Sequence, residues 1–157
     1  MTIIKEVYLH PKFEYGVSDK DFLTDLPFMT PDEKVRLALW VSGIVQGLSH
    51  EGMNKPSWLN NGQMIPAAQD YKKNNVWHYH CGPYENASET DKITENTFDE
   101  NTYGRRSSQI FHYTKQKDII IVLGYSRKHI PFPAGNSRSN PLRNRGHAWH
   151  LALPRSK

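Results

Sequence analysis

A chain of 157 residues with 37% hydrophobic and 11% aromatic content can bury one core, and a mean hydropathy of −0.72 excludes a protein embedded in a bilayer. A single cysteine, Cys81, excludes an internal disulfide and a CxxC metal knuckle; the charged first ten residues lack the apolar run of a signal peptide, so a cytoplasmic protein is expected. The net charge of +4 is unevenly spread: residues 104–157 hold 11 Lys/Arg against 1 Asp/Glu, a tract that favours a polyanion because each phosphate contact releases counterions.

Taken in order, residues 3–9 read as a strand ended by Pro11, and residues 19–26 as a short helix. Thr30-Pro31-Asp32-Glu33 supplies an N-cap, a first-turn proline and a capping-box glutamate, so a helix is predicted from Pro31 to about Ser49. Its apolar stripe is expected to run through Val35, Leu39, Ile44, Val45 and Leu48, broadened by Trp40 and Val41, and to lie on a sheet. Residues 50–75, rich in Gly, Pro and Asn, predict an irregular connection. Residues 76–81 alternate as a strand. Residues 85–103 are acidic and poor in apolar side chains, which predicts a mobile excursion. Residues 107–114 and 118–124 predict two strands joined by Lys115-Gln116-Lys117. The second, Ile119 to Leu123, is apolar on both faces and should lie inside the sheet. A single domain over 1–157 follows, ending in a basic tail, 134–157.

Three stretches carry candidate chemistry. His78-Tyr79-His80 projects two imidazoles from one strand face, as proton-transfer groups or as metal ligands. No HExxH pattern or third ligand accompanies them, so no metal and no cofactor are expected. Arg105-Arg106 precedes a strand containing His112 and Tyr113, with the planar forks that grip phosphate oxygens. Tyr125-Ser126-Arg127-Lys128-His129 follows the doubly apolar strand and offers a stacking ring, two cations and a proton carrier. Lys117, in the connecting turn, adds a further cation. His147-Ala148-Trp149-His150 is a weaker stacking candidate.

The order of Val76-Trp77-His78-Tyr79-His80, Arg105 to Tyr113, Ile119 to Leu123 and then His129 resembles the second half of YafO-type toxins, a branch of the RelE superfamily, over about 50 residues. The resemblance implies an α+β fold with N-terminal helices packed on a small antiparallel sheet. It also implies an endoribonuclease toxin of a toxin-antitoxin system that cleaves mRNA, on the ribosome, by 2'-hydroxyl attack. His129 is then the general acid, His80 the base, and Arg127 and Arg106 the phosphate-stabilising pair. Arg105, Lys128, Tyr125, His78, His112 and Lys117 would contact RNA. The expected partners are mRNA, the ribosome and a small antitoxin protein, with no membrane. The same basic face would also serve a non-catalytic RNA or ribosome ligand, and the His-x-His pair a metal-dependent hydrolase.

Overall fold

The computed structural model describes residues 4–48, 50–60, 63–84, 104–130, 132, 133, 138, 140–143 and 145. The predicted acidic excursion, residues 85–103, and His147 to His150 lie outside the described residues, as does most of the basic tail. No helix among the described residues is long and apolar enough to cross a membrane.

The architecture is mixed α/β around an open five-stranded sheet. Strand β1 (Glu6–Leu9) opens the chain, followed by α1 (Pro11–Glu14), α2 (Pro31–Gln46) and β2 (Asn54–Pro56). A two-stranded hairpin, β3 (Leu59–Asn60) and β4 (Gln63–Met64), leads to α3 (Gln69–Lys73), β5 (Val76–His80), β6 (Ile110–Gln116) and β7 (Ile119–Ser126). The large sheet has the order β1-β7-β6-β5-β2; β1 runs parallel to β7, and the other pairs are antiparallel.

Pro11 begins α1 as well as ending β1: it sits at the first turn, and His10 Nδ1 caps the helix by accepting from the Lys12 amide at 3.0 Å. Helix α2 starts where its capping box requires, with Thr30 and Glu33 exchanging both bonds, and stops at Gly47, whose φ of 74° is the left-handed cap. Its buried face differs from the predicted stripe. Leu37, Trp40 and Ile44 are buried, whereas Val35 and Leu39 are 57% and 69% exposed. The indole decides the rotation, because Trp40 stacks on Tyr79 at 5.3 Å and on Phe111 at 4.8 Å and so covers more apolar area than the aliphatic row could.

Two further expectations are corrected. Residues 19–26 form no α-helix: the Ser18 amide donates to Asp25 Oδ2 and the Asp25 amide to the Ser18 carbonyl, Thr24 donates its amide to the Tyr125 carbonyl, and a 3-10 turn follows at Leu26–Phe28. A sheet edge and an Asp side chain satisfy these amides better than a short helix would. The "irregular" residues 50–75 include β2, an edge strand in which Pro56 is tolerated because one of its sides needs no donor.

The sheet separates two cores. Trp40, Tyr79, Phe111, Tyr113 and Tyr125 pack with α2 on one face; Leu23, Tyr71, Val76, Ile121, Leu123 and Leu142 pack on the other. Strand β7 lies between β1 and β6, and its apolar residues on both faces meet these two cores, as its sequence requires. Leu142 and Arg145, from the segment predicted as tail, belong to this buried structure, with Arg145 clamped to Asp25 at 2.6 and 3.1 Å and to the Leu123 carbonyl at 2.9 Å.

His10 and His50 are both buried, and burial lowers each imidazole to about 4. Above pH 6.5 folded and unfolded chains hold both rings neutral. Between pH 6.5 and 4 the unfolded chain gains protons that the folded one refuses, so stability must fall as pH falls through that window. Urea unfolding at pH 7.5 and at pH 5 should show the loss, and His50→Gln should reduce it by up to about 1.4 kcal/mol per pH unit. An unchanged pH slope in His50→Gln would mean that His50 protonates as readily folded as unfolded.

Candidate functional site

The two strand histidines acquire their environment from pairing. In β5 the rings of His78 and His80 share one face while Trp77 and Tyr79 take the other, and direct pairing puts Lys55 of β2 and His112 of β6 on either side of His78. All five residues of β5 are buried. Both histidines must therefore satisfy a ring nitrogen internally. His78 Nδ1 lies 2.9 Å from Ser57 Oγ, and His80 Nδ1 lies 2.8 Å from the Ser107 carbonyl oxygen.

Ser107 reaches His80 because Gly52 and Gly104 let two backbone segments touch. A Cβ on Gly104 would sit 2.5 Å from the Gly52 carbonyl oxygen, and the flanking residues form a parallel bridge, Gly52 to Arg105. The Ser107 amide also lies 3.2 Å from the same nitrogen. The shorter contact decides the tautomer, since a bare nitrogen 2.8 Å from a carbonyl oxygen is repulsive. His80 Nδ1 carries the proton, and Nε2 presents its lone pair.

His129 completes the cluster. It follows β7 by three residues, on a turn whose Arg127 and Lys128 amides both donate to the Asp21 carbonyl. Its ring is sandwiched between His80 at 5.1 Å and Phe132 at 5.4 Å, with His78 edge-on at 5.4 Å. One ring nitrogen from each of His78, His80 and His129 lies within 4.8 Å of the others. His78 and His80 are buried, with Nε2 atoms that have no hydrogen-bond partner, whereas His129 is exposed to solvent. These three are the described side chains that could hold a metal ion. The third ligand missing from the local sequence is thus supplied by the turn after β7.

Among the described residues, the side-chain charges acting on the cluster are positive. Burial holds His78 well below its ordinary range and His80 at about 4, and it lowers His129 as well; neighbouring histidines, Lys55 and Arg106 push in the same direction. Neutral imidazoles flanked by two cations suit an anionic guest. A pocket of about 340 Å³ opens beside them, lined by Lys55, Ser57, Tyr71, His78, His129 and Phe132.

Of the residues expected at an RNA site, His78, His80, His129 and Arg106 converge. The others do not. His112 is fully buried, bonded through Nε2 to Ser126 Oγ at 2.6 Å, while Ser126 donates to the Phe22 carbonyl; burial lowers this imidazole to about 3. Tyr125 is 1% exposed against Phe111 on the helix side, so it cannot stack a base. Arg127 donates to Glu33 at 3.0 and 3.1 Å, to Asp19 at 3.0 Å and to the Phe28 carbonyl at 2.9 Å, which commits it to the start of α2. Lys128 pairs with Asp21 at 3.3 Å. Arg105 pairs with Glu51 and lies 4.9 Å over the Tyr84 ring. Lys117 occupies the β6–β7 turn, the length of β7 away from His129, or about 25 Å. For all of these but Lys117, a nearby carboxylate, carbonyl or core claims the side chain.

Sequence reasoning missed Lys55, Ser57 and Phe132. Lys55 and Ser57 fall in the segment read as irregular; Pro56 between them was the available sign of an edge strand. Compared with protein-family models, with curated proteins and with solved structures, the chain matches none.

If Arg127 serves the fold and not the pocket, Arg127→Gln should lower stability by about 1–2 kcal/mol while changing RNA affinity by less than about two-fold. Thermal melting and a filter-binding titration read both. A ten-fold loss of affinity at unchanged melting temperature would return Arg127 to the binding surface.

Proposed function

We propose that this chain is a metal-independent endoribonuclease, the toxin of a toxin-antitoxin pair with a RelE-like fold, and that it cleaves mRNA on the ribosome. The observation that carries this reading is the convergence of buried His80 with solvent-exposed His129 at 5.1 Å, with the cations Lys55 and Arg106 acting on both. The order of sequence motifs that resembles YafO-type toxins supports it independently. A cytoplasmic location and a small antitoxin partner belong to the same reading.

Metal-free RNA cleavage needs a base for the 2'-hydroxyl, charge for the phosphate oxygens and an acid for the leaving 5'-oxygen. His80 Nε2, whose lone pair is fixed by the Nδ1 bond to Ser107, takes the 2'-hydroxyl proton. The 2'-oxygen forms its bond to phosphorus as the P–O5' bond breaks, and protonated His129 delivers its proton to the 5'-oxygen. The products are a 2',3'-cyclic phosphate and a 5'-hydroxyl. Lys55 takes the phosphate-stabilising role beside Arg106 that the sequence had given to Arg127. His129, at the solvent-facing side of the cluster, is the ring whose protonated form a bound phosphate would favour.

His129→Ala and His80→Ala should each slow RNA cleavage by about two to four orders of magnitude, and Lys55→Ala by about one, with cleavage persisting in excess chelator. Cleavage of mRNA on ribosomes, scored beside melting temperature and RNA affinity, is the measurement. Near wild-type cleavage in His129→Ala would overturn the acid assignment. RNA that is bound but never cut by the wild-type chain would replace the enzyme with a binding protein.

A further inference from the structure

We infer that His78, His80 and His129 form a three-nitrogen site for a late first-row divalent ion of the zinc class, with an exchangeable fourth position facing Lys55 and Arg106. Four features of the cluster lead there. One ring nitrogen of each histidine lies within 4.8 Å of the other two, and the set is drawn from two separate elements that the sheet brings together. The Nε2 atoms of His78 and His80 are buried without any hydrogen-bond partner, an expensive arrangement for a polar atom that a metal bond would relieve. Their opposite nitrogens are held by Ser57 Oγ and the Ser107 carbonyl, the kind of outer support that orients metal-binding imidazoles, and the carbonyl, which can only accept, leaves the His80 lone pair on Nε2. The third histidine is exposed on a turn, and so can move.

That freedom is required. Zinc-nitrogen bonds of about 2.0–2.1 Å at tetrahedral angles place ligand nitrogens about 3.3 Å apart. The two strand histidines cannot travel, so closing a 4.8 Å triangle falls to rotation of the His129 side chain toward β5. An all-imidazole set selects zinc, copper or nickel over magnesium and calcium, which require oxygen ligands. Three neutral ligands leave the ion its full double charge, and Lys55 and Arg106 add to it. The fourth ligand is therefore an anion, a hydroxide or a phosphate oxygen, and the 340 Å³ pocket is the side from which it arrives.

A bound ion would occupy the same His80 lone pair that takes the 2'-hydroxyl proton, so metal should inhibit RNA cleavage. That consequence rests on the ribonuclease reading; the metal site itself does not. The test uses the full chain, stripped with chelator and titrated with Zn²⁺ against a chromophoric competitor, then with Co²⁺ for its visible absorption. One ion per chain is expected with micromolar affinity or better, and Co²⁺ should give the intense bands of four- or five-coordinate geometry.

His129→Ala and His80→Ala should each weaken binding by at least about ten-fold. His50→Gln, on the helix side of the sheet, should not, nor should the double variant His147→Ala, His150→Ala, which removes the rival imidazoles near the C-terminus. If His80→Ala fails to fold, the surface variant His129→Ala decides alone. Failure to take up zinc at about 100 µM, or uptake undiminished in His129→Ala, overturns the site. Zinc that binds stoichiometrically and leaves cleavage untouched would uphold the metal site and overturn His80 as the base.

Discussion

Burial of β5 on both faces imposes the constraint from which most of the site follows. A five-residue strand that pairs with β6 on one side and β2 on the other has no solvent-facing row, so the period-two alternation of Val76 to His80 divides its side chains between two interiors. One interior is aromatic: Tyr79 meets Trp40, and Trp40 in turn fixes the rotation of α2. The other receives two imidazoles. A buried ring with no hydrogen bond would be destabilising, and each histidine is accordingly tied by one nitrogen to a serine, Ser57 or Ser107. Those ties leave the two Nε2 atoms directed at one another's neighbourhood with nothing to bond. Chemistry becomes available there because the fold satisfied half of each ring.

The basic last third of the chain is less available than its composition implies. Arg127 is held by Glu33 and Asp19, Lys128 pairs with Asp21, and Arg145 is buried against Asp25. Asp25 also accepts from the Ser18 amide at 2.9 Å, so a single carboxylate joins the 18–25 turn to the C-terminal segment and, through Arg145, to the Leu123 carbonyl. Removing either partner of such a buried pair leaves an uncompensated charge, a loss on the order of 3–5 kcal/mol. These arginines are structural ties across the fold. Among the described residues, the cations that act on the histidine cluster are Lys55 of β2 and, from the last third, Arg106 before β6.

Much of the architecture was legible because local chemistry and tertiary packing agree. The capping box at Thr30, the alternation of β5 and the doubly apolar β7 each specify one element. Reading failed where a long-range partner overrode the local signal. Residues 19–26 have a helical composition, yet β7 captures the Thr24 amide; Val35 and Leu39 are apolar, yet Trp40 turns them outward. At the site, His78, His80 and His129 could be named from strand alternation and position. Their convergence could not, because it depends on β7 lying two strands from β5 and on Phe132 closing over His129. Lys55 was invisible for the same reason, since its edge strand is only three residues long and contains a proline.

His129 differs from its two companions in a way that governs what the cluster can do. His78 and His80 are fixed by β5 and by their serine contacts, so they define a rigid half-site. His129 sits on a turn anchored by the Asp21 carbonyl, stacked on His80 and Phe132 but open to solvent. A ring so placed can remain stacked and exchange protons with water, or rotate inward and close a triangle of nitrogens. Proton transfer and metal coordination use the same lone pairs and so exclude each other. Lys55 and Arg106 weigh on that choice: two cations disfavour a bare divalent ion and favour any guest that brings negative charge with it. A phosphate group supplies that charge in either state, which makes the anion, and not the proton or the metal, the common requirement of this site.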